Sequence, residues 1–116
     1  MILEQMRNQL FIDNEWRDAE SGATLDVINP ATEEPVASVP SAGQADLDRA
    51  VAAAGAALDG PWSALSARER GRLIWRIGET LTEKADTIAR LETLHNGKPI
   101  FESRQIEIPA AAECFQ

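Results

Sequence analysis

The stretch SARERGRLIWRIGETLTEKADTIARLETLHNGKP, residues 66–99, predicts the longest helical part of the chain. Ser66 and Glu69 have the spacing of a capping box, in which each side chain accepts a hydrogen bond from a backbone N–H group at the helix start. Apolar residues then recur at the intervals that place them on one helix face. They are Leu73, Ile74, Ile77, Leu81, Ile88, Leu91 and Leu94.

The same stretch also indicates where the helical structure is interrupted and where it ends. Residues 82–86 interrupt the apolar pattern, so we expect either two helices stacked end to end or one kinked helix. Asn96-Gly97 supplies a residue that tolerates positive φ, and Pro99 cannot continue a helix. We therefore predict helical structure over residues 66–96.

Two antiparallel strand pairs are predicted upstream, within residues 9–39. The first is a hairpin around the turn dipeptide Asp13-Asn14, because both residues tolerate positive φ. The second pairs residues 24–28 with residues 36–39 across a loop that begins with an Asn-Pro dipeptide. Isolated hairpins are marginally stable in water, so we expect these strands to need neighbours.

Two further helices are predicted, over residues 42–59 and residues 100–115. Two caps compete for the start of the first helix, either Ser41 in a capping box or Gly43 as the cap residue. Trp62 follows the end of this helix, and we expect it to anchor the packing between this helix and the next.

The long helical stretch carries glycines and arginines at regular spacing. Gly71 and Gly78 lie seven residues apart on nearly the same face, where we expect close approach of another backbone. Arg68, Arg72 and Arg76 form a stripe. The stripe is either a solvated or ion-paired surface, the usual role of such a pattern, or a site for phosphate or an acidic partner.

The composition excludes several kinds of partner. A net charge of −8 opposes binding to nucleic acids or anionic membranes, which require clustered positive charge. No apolar run approaches the length of a membrane span, about 20 residues. The start of the chain lacks a secretion signal pattern, and the single cysteine, Cys114, has no disulfide partner. We therefore expect a cytoplasmic protein without nucleic-acid or membrane partners.

Five segments, read in order, carry a family resemblance. They are LFIDNEW (10–16), DVINPATEEPVASVP (26–40), LDRAVAAAGAAL (47–58), PWSALSARERGRLIWRIGETL (61–81) and LETLHNGKPI (91–100). Together they resemble the amino-terminal part of enzymes of the aldehyde dehydrogenase superfamily, whose E-T-x-x-N-G-K-P segment is similar to the last of the five. The resemblance extends over nearly the whole chain, from about residue 10 to residue 115.

The resemblance implies an α+β fold, with an antiparallel strand arm followed by three or four helices. In the family this is the front end of an α/β cofactor-binding domain, so residues 1–116 would form a single incomplete domain. The parent family uses NAD or NADP, and the implied partners are the missing carboxyl-terminal remainder or homologous subunits. We interpret the ending at Gln116 as truncation of this longer architecture.

The chemistry of that family is not encoded in these residues. Aldehyde oxidation requires a cysteine thiolate, oxyanion donors, a glutamate base and a nucleotide-binding site. The seven glycines include no G-x-G spacing, and Cys114 lies in the context ECFQ, which does not match the family's nucleophile motif. We predict no catalytic or cofactor-binding residue here, and hence an inactive fragment. The alternative hypothesis is a noncatalytic interaction module that binds other subunits.

His95 is the one residue for which the resemblance implies a site. In many family members this position is an aspartate that helps to hold a structural cation, together with backbone carbonyls that here belong to Val27 and Ile28. Histidine weakens this interpretation, because hard cations prefer oxygen ligands. The alternative is a histidine at the border of the apolar face that forms hydrogen bonds at the helix end.

Overall fold

The computed structural model describes residues 7–116, with the strands ahead of the helices. The strands are β1 (Leu10–Ile12), β2 (Glu15–Arg17), β3 (Thr24–Ile28) and β4 (Pro35–Pro40). The helices are α1 (Gln44–Ala57), α2 (Pro61–Ala64), α3 (Ala67–Glu83), α4 (Ala85–Asn96), α5 (Ile100–Glu102) and α6 (Ile108–Glu113), the last two joined by a π-helical segment (Ser103–Glu107). This order confirms the predicted α+β fold, in which an antiparallel strand arm precedes the helices.

The strand arm consists of two separate antiparallel pairs. β1 and β2 are joined by Asp13 and Asn14, with φ of 54° and 60°, which confirms the predicted two-residue turn. β3 pairs with β4 so that Val27 lies opposite Ala37, and the register then shifts between Val27 and Ile28. Such a bulge bends the strand, and it does so where β3 ends.

Gly43 caps α1 with an extended backbone. Its N–H group donates a hydrogen bond of 2.9 Å to the carboxylate of Asp46, so Gly43 and not Ser41 begins this helix. α2 is a single turn that no sequence pattern indicated. It contains Trp62, the expected packing anchor between the flanking helices, which the described chain leaves 42% exposed.

α3 begins at the predicted capping box. The Glu69 N–H group donates to the Ser66 hydroxyl at 3.3 Å, and the Glu69 carboxylate accepts from the Ser66 backbone N–H group at 2.8 Å. Hydrogen bonds from the Ser66 hydroxyl and backbone lower the pKa of Glu69 below its ordinary value. The break between α3 and α4 is at Lys84, inside the predicted interval, and α4 ends at Gly97 with a left-handed φ of 77°.

α6 packs on α3 at Gly78. A Cβ atom at Gly78 would lie 2.7 Å from the carbonyl oxygen of Ala112, so the two backbones are in contact. The predicted close approach is therefore confirmed for Gly78. At Gly71 the described chain does not supply such an approach, since no other part of it lies within 4 Å of such an atom. Pro109 follows the π-helical segment without a break in helical backbone angles, and because proline has no N–H group it cannot continue the backbone hydrogen bonds of that segment.

The buried apolar core of the described chain is small, and alanines are three of its five members. They are Ile12, Ala19, Ala89, Ile108 and Ala112. The accessible surface is 8468 Å², whereas a folded chain of 12.6 kDa ordinarily exposes about 6,200 Å². The radius of gyration is 16.9 Å, against about 13.4 Å for a chain of this length. Much apolar surface, including Leu58 and Phe101, therefore lies in solvent.

Candidate cation site

The turn after β3 is organised by an asparagine. The side-chain oxygen of Asn29 accepts a hydrogen bond from Ala31 at 2.9 Å, and its carbonyl oxygen accepts one from Glu33 at 2.8 Å. Glu33 completes the turn at a φ of 59°. Pro30, which has no N–H group, follows the asparagine and prevents β3 from continuing. These local bonds fix the direction in which β3 ends.

The carboxyl end of α4 contacts this turn. A Cβ atom on Gly97 would lie 2.6 Å from Cγ of Pro30, so there is no room for a side chain at this position. The positive φ of Gly97 also favours glycine. Because His95 lies in the last turn of α4, this contact brings it towards the end of β3.

Val27 and His95 line the same cavity, of about 300 Å³, between the β3–β4 pair and α4. Ile28 does not line it, and its side chain is exposed. Of the three residues in the predicted cation site, the structure thus brings two to one cavity. The other lining residues are mostly apolar: Asn8, Val36, Ala37, Val39, Ile88, Leu91, Glu92 and Leu94.

Glu92, which no sequence pattern singled out, lines the same cavity as His95. Its Oε2 atom lies 3.2 Å from Nε2 of His95, and its Oε1 atom accepts a hydrogen bond of 2.9 Å from the Asn96 amide. The spacing of three residues places Glu92 and His95 on the same helix face, which is the signal that could have identified the pair. The carboxylate supplies the hard oxygen donor that the imidazole does not.

The donor set of the site limits which cation it fits. Within residues 7–116, no three His, Cys, Asp or Glu side chains lie close enough together to hold a metal ion. A cation here would therefore depend on backbone carbonyl oxygens, with Glu92 as the acidic side chain at the cavity. Oxygen donors of this kind suit alkali and alkaline-earth ions better than zinc or copper.

A second electrostatic cluster surrounds Asp46 on α1. Its carboxylate is buried and accepts hydrogen bonds from the backbone of Gly43 at 2.9 Å and of Glu20 at 3.1 Å. Arg49 lies 3.6 Å away and also binds the Glu20 carboxylate at 2.7 Å. The Gly43 hydrogen bond, followed by the Glu20 hydrogen bond and the Arg49 charge, lowers the pKa of Asp46 despite its burial. The cluster ties the segment after β2 to the start of α1.

The remaining candidates from the sequence lie elsewhere on the molecule. Cys114 is an exposed thiol at the carboxyl end of α6. Arg68, Arg72 and Arg76 are exposed on α3 and form no ion pair with any other residue in the range 7–116. No helix in this range is both long enough and apolar enough to cross a membrane.

Comparison with known proteins gives a consistent result. The sequence profile of the aldehyde dehydrogenase family matches residues 16–116. An aldehyde dehydrogenase of Alternaria alternata is 44% identical over 107 residues, which are 92% of this chain and 22% of that protein. The mitochondrial aldehyde dehydrogenase of Homo sapiens is 40% identical over 111 residues, which are 94% of this chain and 22% of that protein.

The backbone of the chain is also similar to that of a solved structure. The crystal structure of betaine aldehyde dehydrogenase from Staphylococcus aureus in complex with NAD+ superposes with a TM-score of 0.93 at 32% identity. The superposition covers 98% of this chain and 23% of that chain. The chain therefore spans 22–23% of the length of these relatives.

Proposed function

The chain belongs to the aldehyde dehydrogenase family, and we propose that it is the amino-terminal part of an enzyme that oxidises aldehydes to carboxylates with NAD or NADP. The agreement of nearly the whole chain with 22% of a relative's length is the observation that carries the proposal. Residues 1–116 are then a single incomplete domain, which accounts for the small core and the large exposed apolar surface. The partner is the remainder of the enzyme.

In this proposal the chain alone is inactive, because the groups that perform the reaction belong to the remainder. The one thiol, Cys114, is exposed at a helix end, and the one histidine, His95, is in the last turn of a different helix. The residues present also do not fit a dinucleotide. The helices α1, α2 and α3 begin at Gly43, Gly60 and Ser66, and none of these caps belongs to a glycine-rich phosphate loop.

A chimera tests the proposal. The matching segment of the Alternaria alternata aldehyde dehydrogenase, 107 residues long, is replaced by that of this chain. This Alternaria chimera should oxidise an aldehyde with NAD, measured by NADH absorbance, whereas the enzyme with the segment deleted should not. The isolated chain should show no oxidation. A folded chimera without activity would contradict the proposal, as would any oxidation by the isolated chain, including oxidation that survives Cys114→Ala.

We also propose a structural cation at the end of β3. Backbone oxygens of Val27 and Ile28 and the side chains of His95 and Glu92 are the groups available to it. The shared cavity of Val27 and His95, and the contact of α4 with the turn after β3, support this assignment. The cation would hold α4 against the strand arm and would take no part in the chemistry.

The second candidate function is a noncatalytic module that binds homologous subunits. The exposed apolar side chains favour it, because such surfaces ordinarily contact another protein. Assembly with an intact family member in the absence of any remainder would support this function.

We place the protein in the cytoplasm, since its single cysteine suits a reducing compartment. Fluorescence of a tagged full-length protein tests this location.

A further inference from the structure

α3 and α4 form an open groove that no other element within residues 7–116 covers. The groove has a volume of about 350 Å³, and its apolar lining comes from Leu73, Ile77, Leu81 and Ile88. Gly78, which faces α6, is the one buried residue that the described α3 contains. By helix geometry Leu73 and Ile77 are rotated by about 140° and about 100° from Gly78. They therefore lie off the face of α3 that contacts α6, and they are 42% and 45% exposed.

Two cations border this groove, Arg76 on α3 and Lys84 at the junction with α4. Neither forms an ion pair within the part of the chain that the structure describes, although the full chain has 19 acidic and 11 basic residues. Within residues 7–116, four other Lys or Arg side chains do have acidic partners: Arg17 with Glu15, Arg49 with Glu20, Lys98 with Glu107, and Arg104 with Asp86. A protein segment that covers the groove would have to supply carboxylates of its own.

We propose that this groove seats a helix from the remainder of the enzyme. The apolar ridge of that helix packs on Leu73, Ile77 and Ile88, and carboxylates beside the ridge pair with Arg76 and Lys84. The inference rests on the proposed function, because the occupant is part of the same enzyme. The chain spans only 22% of a relative's length, so most of the enzyme is available to supply that helix.

A helix is the expected occupant because side chains at three- and four-residue spacing form a ridge that fills the groove between two other helices. The positive charges of Arg76 and Lys84 determine how this helix is aligned along the groove. A partner that covered Arg76 and Lys84 with apolar groups would leave two cations without water or a counter-ion, which is strongly unfavourable. The competing occupant is a second copy of this chain.

The first test uses the fact that the chain contains two lysines, Lys84 and Lys98. Zero-length carbodiimide cross-linking joins a lysine amine to a carboxylate in direct contact with it. In the Alternaria chimera, Lys84 should cross-link to an aspartate or glutamate of the Alternaria part, identified by mass spectrometry of the digested product. The cross-link between Lys98 and Glu107, which are already paired, is the internal control.

The result separates the two proposals. An active chimera with the Lys98–Glu107 cross-link, but with none from Lys84 to the Alternaria part, would overturn the groove assignment and leave the proposed function standing. A cross-link from Lys84 to a second copy of the chain would overturn the assignment in favour of a dimer. An inactive chimera would contradict the proposed function, and the groove assignment would fail with it.

The second test reverses charges in the chimera. Arg76→Glu with Lys84→Glu should reduce the yield of active enzyme at least tenfold, because the carboxylates of the seated helix then face like charges. Arg68→Glu with Arg72→Glu makes the same change of charge on α3 outside the groove and should leave the yield unchanged. Arg76→Lys with Lys84→Arg keeps both charges and should also preserve it. Equal losses in the two charge-reversed variants would contradict the assignment.

Discussion

The carbonyl oxygen of Ala112 occupies the space that a side chain on Gly78 would need, 2.7 Å from the position of a Cβ atom. This contact joins α3 to α6, and the small buried residue Ala112 has room there only because Gly78 has no side chain. Real Cβ atoms do not approach a carbonyl oxygen this closely. Gly78 therefore has a packing function that offsets the intrinsic penalty of glycine inside a helix, which is about 1 kcal/mol.

The first prediction follows from this contact. Gly78→Ala in the Alternaria chimera should lower the free energy of unfolding by about 1–3 kcal/mol, because the two helices must separate to admit the methyl group. Gly71→Ala on the same helix is the matched control and should raise it by up to about 1 kcal/mol. Urea unfolding followed by tryptophan fluorescence measures both. A stabilising Gly78→Ala would mean that α6 does not pack on α3 as described.

The contact between Gly97 and Pro30 gives a second prediction. Gly97→Ala should destabilise the chimera, because the new methyl group meets the Pro30 ring and the left-handed backbone disfavours a side chain. Gly22 also has a positive φ, of 67°, but has no atom of the rest of the described chain within 4 Å of an added Cβ. Gly22→Ala should therefore cost only the backbone strain, about 1–2 kcal/mol. Equal losses in urea unfolding would exclude a role for Pro30.

The Asp46 cluster predicts a dependence on pH. The folded-state pKa of this carboxyl is lowered, so it stabilises the fold above its ordinary pKa of 3.8. This contribution is lost as the pH falls through the folded-state pKa. Asp46→Asn should therefore destabilise the chimera at neutral pH, and the difference from the unmutated chimera should diminish in acid. Asp48→Asn, at an exposed position of the same helix, is the control. A difference that persists unchanged into acid would argue against the ionised carboxylate.

The capping and turn residues allowed the sequence to predict much of the fold. Ser66 with Glu69, the Asp13-Asn14 turn and Gly97 act through hydrogen bonds and backbone angles within a few residues of themselves. Such effects depend little on the rest of the chain, so local patterns were sufficient. The break at Lys84 could also be predicted from a local pattern, because the helical spacing of apolar residues is interrupted there.

Contacts between distant segments could not be predicted in the same way. Gly71 and Gly78 lie on nearly the same face of α3, seven residues apart. Within the described chain, however, only Gly78 contacts α6. Trp62 was expected to pack between two helices, but the described chain leaves it 42% exposed. In the candidate site, His95 came from the family resemblance, whereas Glu92 became evident from the distance between their side chains.

The cation proposal gives a fourth prediction. If an alkali or alkaline-earth ion binds at the end of β3, it should raise the unfolding midpoint of the chimera selectively, because it binds only the folded state. His95→Asp should strengthen the effect by adding an oxygen ligand, and Glu92→Gln should weaken it. Midpoints are measured in matched ionic strengths of lithium, sodium, potassium, magnesium and calcium chlorides. The site would have to be abandoned if no ion gave a selective shift in any of the three proteins.

The last prediction concerns the chain by itself. Its exposed apolar surface exceeds what a small core can offset, since leaving roughly 400 Å² of apolar surface uncovered forgoes about 10 kcal/mol. That amount is comparable to the whole stability of a small domain. We therefore expect the isolated chain to be loosely packed or self-associated, with rapid hydrogen exchange over residues 66–81.

Co-expression with the remaining part of the Alternaria enzyme should protect these amides, because the seated remainder covers α3. Amides in the β1–β2 turn, at Asp13 and Asn14, serve as an internal reference for exchange at an exposed position. Strong protection of residues 66–81 in a monomeric, isolated chain would contradict the fragment hypothesis. It would instead favour the self-sufficient interaction module, because only a chain that covers α3 without help could slow exchange there.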